Sequence, residues 1–189
     1  MRIIAGKYRS RPLKSLPGMD VRPTSDRLRE TLFNVITSAR GGNGLEDTVW
    51  IDLFAGTGAV GIEALSRGAR QVYFVDSSRK STAVIRDNLR SLKIEEGADI
   101  VEREAATALK LLDAEAIRCD FCFIDPPYRM EGAYDQTLGF LSQSQLLRPE
   151  SIVIAEHDKR RDPGERFGSL TRFRILEQGD STLSFYRLS

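Results

Sequence analysis

The sequence predicts a doubly wound α/β domain, a mostly parallel sheet of seven strands with an antiparallel C-terminal end and a small N-terminal extension. Three observations carry this. Short β-branched and aromatic runs alternate with segments of helical period. One such run, Trp50-Ile51-Asp52-Leu53-Phe54, leads straight into Ala55-Gly56-Thr57-Gly58-Ala59-Val60-Gly61 and then into a helix. The last two strand-like runs follow one another with only a turn between them, which suits an antiparallel finish.

Residues 1–20 read as a basic arm of short extended pieces, broken by Pro12, Pro17 and Gly18. The domain proper is expected over 21–189. Its first helix spans 25–39, where Leu28, Leu32, Val35 and Ala39 share a face and Thr24 or Ser25 caps the start. The glycine-rich stretch 40–44 ends that helix. Strands follow at 49–54, 71–76, 99–102, 120–125, 151–156, 171–177 and 182–187. Helices are expected at 59–67, 79–92, 105–113 and 134–144. The third of the strands is short, and the helix at 79–92 is marked by Ile85, Leu89 and Leu92. No repeat, low-complexity tract or second core is visible.

Composition fits one domain with a sizeable core: 189 residues, 41% hydrophobic and 29% charged. No apolar stretch reaches membrane-spanning length and the start lacks a signal peptide's apolar core, so a cytoplasmic protein is expected. The net charge of +1 is unevenly spread. Eight basic residues oppose three acids in the first thirty positions, leaving the remainder acidic in balance. Clustered positive charge of this kind suits a phosphate backbone, and Tyr8 among Lys7, Arg9 and Arg11 adds a stacking surface. A solubilising charged arm is the other reading.

Asp125-Pro126-Pro127-Tyr128, placed after the strand Phe121-Cys122-Phe123-Ile124, is the most chemically specific segment. An acid and a proline carbonyl at a strand end can both accept hydrogen bonds from one planar amine. Two prolines stiffen them, and the tyrosine can stack on a base. A plain turn would use the same residue types. The glycine turn between strand and helix suits a nucleotide cofactor, with Gly56 and Gly58 allowing close approach and Gly61 close helix packing. Asp76, about twenty residues on at the end of the second strand, stands where a ribose-binding carboxylate belongs; a helix cap is the simpler role. Cys119 and Cys122 form a C-x-x-C spacing, but the chain has a single histidine, His157, so a zinc set is not assembled and no metal is expected. Residues three apart in a strand point to opposite faces, which makes the two thiols structural. His157 is expected to be a surface or structural residue.

Asp52-Leu53-Phe54-Ala55-Gly56-Thr57-Gly58, Asp76 and Asp125-Pro126-Pro127-Tyr128 together resemble the set found in S-adenosylmethionine-dependent amino-methyltransferases. The stretch Val21-Arg22-Pro23-Thr24-Ser25-Asp26-Arg27-Leu28-Arg29-Glu30-Thr31-Leu32-Phe33-Asn34 narrows this. With the opening residues 1–13 and Ser181–Tyr186, it closely resembles the RsmD family, which methylates guanine N2 in small-subunit (16S) ribosomal RNA. The resemblance covers nearly the whole chain. It implies a Rossmann-like class I methyltransferase with S-adenosyl-L-methionine as cofactor and the 30S subunit or its assembly intermediate as partner; a monomer is the default expectation.

By the same resemblance Asp125, Pro126, Pro127 and Tyr128 are catalytic. Asp52, Phe54, Ala55, Gly56, Thr57, Gly58, Asp76, Ser77, Glu104, Ala105, Arg22 and Thr24 bind the cofactor, and Lys7, Tyr8, Arg9, Arg11 and Arg27 bind RNA. Asp52 would brace the loop and the methionine amine, or serve only the helix. Glu104-Ala105 departs from the family's Asp or Asn before alanine, which bears on the adenine contact. Methylation of adenine N6 or of a protein glutamine, and a non-catalytic RNA-binding factor, are the alternative functions.

Overall fold

The computed structural model describes residues 1–16, 25–39, 44–127, 129–130 and 132–189. Five helices and eight strands occur in the order α1 (Asp26–Ala39), β1 (Val49–Leu53), α2 (Ala59–Ser66), β2 (Gln71–Val75), α3 (Arg79–Leu92), β3 (Ala98–Val101), α4 (Ala105–Ala114), β4 (Cys119–Ile124), α5 (Ala133–Leu141), β5 (Leu147–Asp158), β6 (Arg166–Phe167), β7 (Leu170–Gln178) and β8 (Ser181–Leu188). All strands join one sheet in the order β3-β2-β1-β4-β5-β8-β7-β6. The first five are parallel, and β8, β7 and β6 finish the sheet antiparallel. The eighth strand is β6, two residues long and lacking any periodic signal in the sequence.

Each face of the sheet is covered. On one, Leu28, Leu32, Phe33 and Ile36 of α1, with Val60 and Ile62 of α2 and Ile85 and Leu89 of α3, pack on Trp50, Phe74, Phe121, Phe123 and Ile154. On the other, Leu109 and Leu112 of α4 and Leu138 and Leu141 of α5 pack on Ile51, Leu53, Cys122, Ile124 and Val153. Trp50 is stacked between Phe33 (5.5 Å) and Phe121 (4.6 Å), and its indole N–H donates to Thr48 Oγ1 at 3.1 Å. The buried stripe of α1 therefore runs through Leu32, Phe33 and Ile36, with Val35 only partly buried. Ser25 is the cap: its Oγ accepts the N–H of Leu28 at 3.1 Å. Thr24 lies outside the described residues.

Strand alternation fails in β4. Its pairing with β5 slips between Cys119 and Phe121, opposite a jump from Leu147 to Ile152. The irregularity turns both thiols, three residues apart, into the same cluster on the α4–α5 face. Both are free and fully buried, and burial pushes the Cys119 thiol up to about 12. Asp120, displaced by the slip, accepts the N–H of Val49 at 2.8 Å. His157 is buried, its Nε2 2.9 Å from Ser184 Oγ and its Nδ1 3.0 Å from the carbonyl of Asp158. It is a structural residue of β5.

The N-terminal segment folds onto the α1–α2 face. Arg2 and Pro12 form an antiparallel bridge, and Ile3 and Leu13 enter the core. Buried Glu63 of α2 accepts the backbone N–H of Ile4 at 2.8 Å and of Ala5 at 3.0 Å, and pairs with Arg67 at 2.8 Å.

Candidate active site

The crossovers reverse direction between β1 and β4, and the crevice beyond the carboxyl ends of such strands is where α/β sheets bind ligands. Every strand that ends there delivers an acid. In register, Leu53 lies between Val75 and Ile124, and Ile124 lies beside Ala155. Asp76, Asp125 and Glu156 are each one step further along their strands, and Asp52 is one step back on β1.

The turn after β1 is built for close approach. Phe54, Gly56 and Gly58 all have positive φ, of 60°, 56° and 76°. The turn closes through Gly58 N–H to the Ala55 carbonyl at 2.7 Å. Its glycines differ in purpose. A Cβ on Gly56 would meet nothing nearer than the Phe54 carbonyl at 3.9 Å, so this Cα faces open space. A Cβ on Gly58 would lie 3.2–3.4 Å from Ile85, Phe74 and Ile62, and one on Gly61 only 2.4 Å from the Phe74 ring. Gly58, expected to face a ligand, thus faces the protein, and Gly61 lets α2 lie against β2.

Asp76 holds this turn from the next strand. Its Oδ2 accepts Gly56 N–H at 2.9 Å and its Oδ1 accepts Ser78 N–H at 2.8 Å. Burial still raises its pKa above the ordinary aspartate value, against the pull of those two donors and of the Ser81 hydroxyl. With the Ser81 hydroxyl as a third partner, the carboxylate keeps capacity for a further donor, so a ribose hydroxyl would fit it and relieve its desolvation. Ser77 lies exposed beside it. Asn88 braces the turn from behind: its Nδ2 donates to the Thr57 carbonyl at 3.0 Å and its Oδ1 accepts Lys14 N–H at 2.8 Å.

Asp52 is buried and points at the start of α2, where its Oδ2 accepts Gly61 N–H at 3.0 Å. Desolvation, with some repulsion from Asp76, pushes its pKa up to about 8. Glu104 at the start of α4 is exposed and adds its field to Asp76, while Ala105 is buried beneath it. Asp125 is partly exposed at its edge, yet its carboxyl is pushed well above the usual range by burial and then by Glu156 and Asp52. Glu104, Asp76, Asp52, Asp125 and Glu156 therefore form one electrostatically connected row.

Pro126 and Pro127 line a cleft of about 220 Å³ together with Tyr134 of α5, Asp158 at the end of β5, and Arg161 and Pro163 beyond it. Tyr134 donates its hydroxyl to the Glu156 carbonyl at 2.5 Å. Glu156, Tyr134 and Asn88 escape a sequence reading because their partners are 22 to 74 residues away. A polar residue at a core-facing position of a helix or strand was the available signal.

The structure does not bring the N-terminal basic residues to this crevice. Lys7 and Tyr8 are tied to Ser66 at the far end of α2 (2.7 and 3.0 Å), and Arg11 reaches the Ser91 carbonyl of α3 at 3.1 Å. Lys7, Arg9 and Arg11 are exposed there, with Lys7 Nζ 5.2 Å from the Tyr8 ring centre. Arg27 is exposed on α1. Arg22, Thr24 and Tyr128 lie outside the described residues. Among the described residues no group of three or more His, Cys, Asp or Glu could hold a metal, and no helix is long and apolar enough to cross a membrane.

The strand order, the glycine turn and the acid ending β2 define a class I, Rossmann-like methyltransferase fold. The solved structure "Putative methyltransferase yhhF from Escherichia coli" superposes with a TM-score of 0.83 at 29% identity, covering 100% of this chain and 98% of that one. A Bacillus subtilis protein named "Putative rRNA methyltransferase YlbH" is 34% identical over 99% of this chain and 98% of its own length. The Escherichia coli "Ribosomal RNA small subunit methyltransferase D" is 34% identical over 84% of this chain and 75% of its own length. The family model described as "Conserved hypothetical protein 95" matches residues 1–187. The chain belongs to this family, the RsmD family.

Proposed function

We propose that the protein transfers a methyl group from S-adenosylmethionine to the exocyclic N2 amine of a guanine in small-subunit ribosomal RNA. The observation that carries this reading is the placement of Asp125-Pro126-Pro127 one strand away from the Gly56–Asp76 cofactor turn, with a base-sized cleft beside the prolines. The cofactor supplies a methyl already activated on a sulfonium, so the protein's work is positioning and charge stabilisation. Asp76 accepts a ribose hydroxyl, and the open face of Gly56 lets the ligand lie against the backbone. Asp52 keeps α2 and the turn in register through Gly61.

Guanine N2 is delocalised into its ring and is a poor nucleophile. Asp125 and the Pro126 carbonyl accept its two N–H bonds, turning the nitrogen's lone pair toward the methyl and offsetting the positive charge that grows on it. Asp125 lies beside Glu156, and its raised basicity suits it to take the proton that N2 sheds. Tyr128, next in sequence, supplies the ring that stacks on a guanine splayed out of its helix. Arg22, Thr24, Ser77, Glu104 and Ala105 complete the cofactor side, and Lys7, Tyr8, Arg9, Arg11 and Arg27 contact flanking RNA phosphates. One small domain acting on an assembled 30S subunit or its precursor, as a cytoplasmic monomer, completes the reading.

The test is calorimetry with S-adenosylmethionine followed by methyl incorporation into small- and large-subunit RNA from cells lacking the protein. Saturable binding, lost in Asp76→Ala, and label in small-subunit RNA alone are expected. Absence of binding, or label confined to large-subunit RNA, would overturn the proposal.

A further inference from the structure

On β7 the pairing with β8 slips: Arg172 faces Tyr186 and Arg174 faces Phe185, leaving Phe173 as an extra residue. A bulge of this kind re-aims a side chain. Phe173 is turned outward and is 40% exposed; with Leu111, Met130 and Ile175 it is one of the exposed large apolar side chains among the described residues, and it is the aromatic one. Its ring leans on the core through Phe185 at 6.3 Å, and the guanidinium of Arg187 lies 5.3 Å from its centre. Arg174 and Arg187 are exposed, and among the described residues neither takes part in an ion pair. Arg172, by contrast, points to the opposite face and is held by Asp162 and Glu165.

The location is informative. Phe185 belongs to the cluster on the α1 face, the face to which Asp52 and Glu156 also turn by strand alternation. Arg174 is level with Ile154 across β8, three strands from Asp125. At sheet spacing this is about 15 Å. A rigid aromatic ring with two exposed guanidinium groups is the pairing that stacks a base while neutralising its phosphates. An acidic or purely apolar protein partner would leave one half of the patch unmatched.

We propose that Phe173, Arg174 and Arg187 form a docking platform for an unpaired segment of the substrate RNA, outside the catalytic crevice. This rests on the reading of the substrate as RNA, and it places on β7 an RNA contact separate from Lys7 and Tyr8, which are tied to Ser66 at the far end of α2. The bulge is what converts an ordinary edge-strand residue into an exposed stacking surface.

Fluorescence anisotropy with labelled small-subunit RNA tests it without requiring turnover. Phe173→Leu keeps apolar volume and removes the π face, Phe173→Tyr keeps both, and Arg174→Gln with Arg187→Gln removes the cations. Phe173→Leu and the double Gln variant should each weaken RNA binding about tenfold. The double variant should also flatten the log–log salt dependence by about one to two. Phe173→Tyr should bind like wild type, and affinity for S-adenosylmethionine and Tm should hold in all of them. Unchanged affinity and salt slope for RNA would overturn the platform. So would variants that bind free RNA normally but lose methylation of the assembled particle, because a ribosomal protein would then be the occupant. If wild type binds RNA through these residues yet transfers no methyl, the platform stands and the enzymatic reading falls.

Discussion

Gly61→Ala adds one methyl at a place where the structure leaves no room. The new Cβ would sit 2.4 and 2.9 Å from two atoms of the Phe74 ring and 2.7 Å from Val72 Cγ1. Phe74 and Val72 are both fully buried in β2, so neither can swing aside and α2 must move off the sheet. Overpacking of this kind costs about 1–3 kcal/mol. Alanine's better helix propensity returns up to about 1 kcal/mol. A net loss of about 1–2 kcal/mol corresponds to a Tm lower by roughly 2–8 °C in a domain of this size. The same substitution at Gly139 in α5 meets nothing within 4 Å and should raise Tm by a few degrees. Movement of α2 also loosens the Gly61–Asp52 bond and the turn above it, so Gly61→Ala should bind S-adenosylmethionine more weakly while Gly139→Ala binds normally. Differential scanning calorimetry of the two variants, with titration of the cofactor, decides the matter. Equal shifts in Tm, or a stabilised Gly61→Ala, would refute the packing account of the loop.

Other outcomes follow from the same geometry. Asp52 has a folded-state pKa of about 8 against 3.8 when exposed, so its contribution is complete below about pH 4 and is lost as pH rises toward 8. Thermal melts of the ligand-free protein should fall across that window, and less so in Asp52→Asn; parallel profiles would remove the assignment. Glu63→Ala deletes two backbone anchors of residues 4 and 5 and strands Arg67, at a cost of about 3–5 kcal/mol. Hydrogen exchange should show the amides of residues 3–13 opening first, and uniform protection would contradict the anchoring role. Tyr134→Phe removes the bond to the Glu156 carbonyl and should cost about 1 kcal/mol in urea unfolding, with kcat reduced more than cofactor affinity. A variant unchanged in both would separate Tyr134 from the site.

What could be read from sequence was whatever is local. The strand–glycine–helix turn, Asp76 at its twenty-residue offset and the strand end at Asp125 are short-range patterns, and all fall at the same edge of the sheet. Partnerships across the sheet were not legible. Glu156 looks like the last residue of an ordinary strand until register sets it beside Asp125. The slips at Cys119–Phe121 and Arg172–Arg174 break the two-residue period that a sequence reading must assume, which is why the cysteines share a face and Phe173 is outside. The N-terminal basic residues were legible as a charge cluster, but their distance from the crevice is set by Glu63 and Ser66, some sixty residues away.

The most direct test of the central claim is the identity of the methylated nucleoside. Small-subunit RNA or particles from cells lacking the protein are treated with labelled S-adenosylmethionine and purified enzyme, then digested and resolved by mass spectrometry. The proposed guanine N2 target predicts 2-methylguanosine as the labelled product, present with wild type and absent with Asp125→Ala while cofactor binding persists. Recovery of 6-methyladenosine, or full activity in Asp125→Ala, would contradict it.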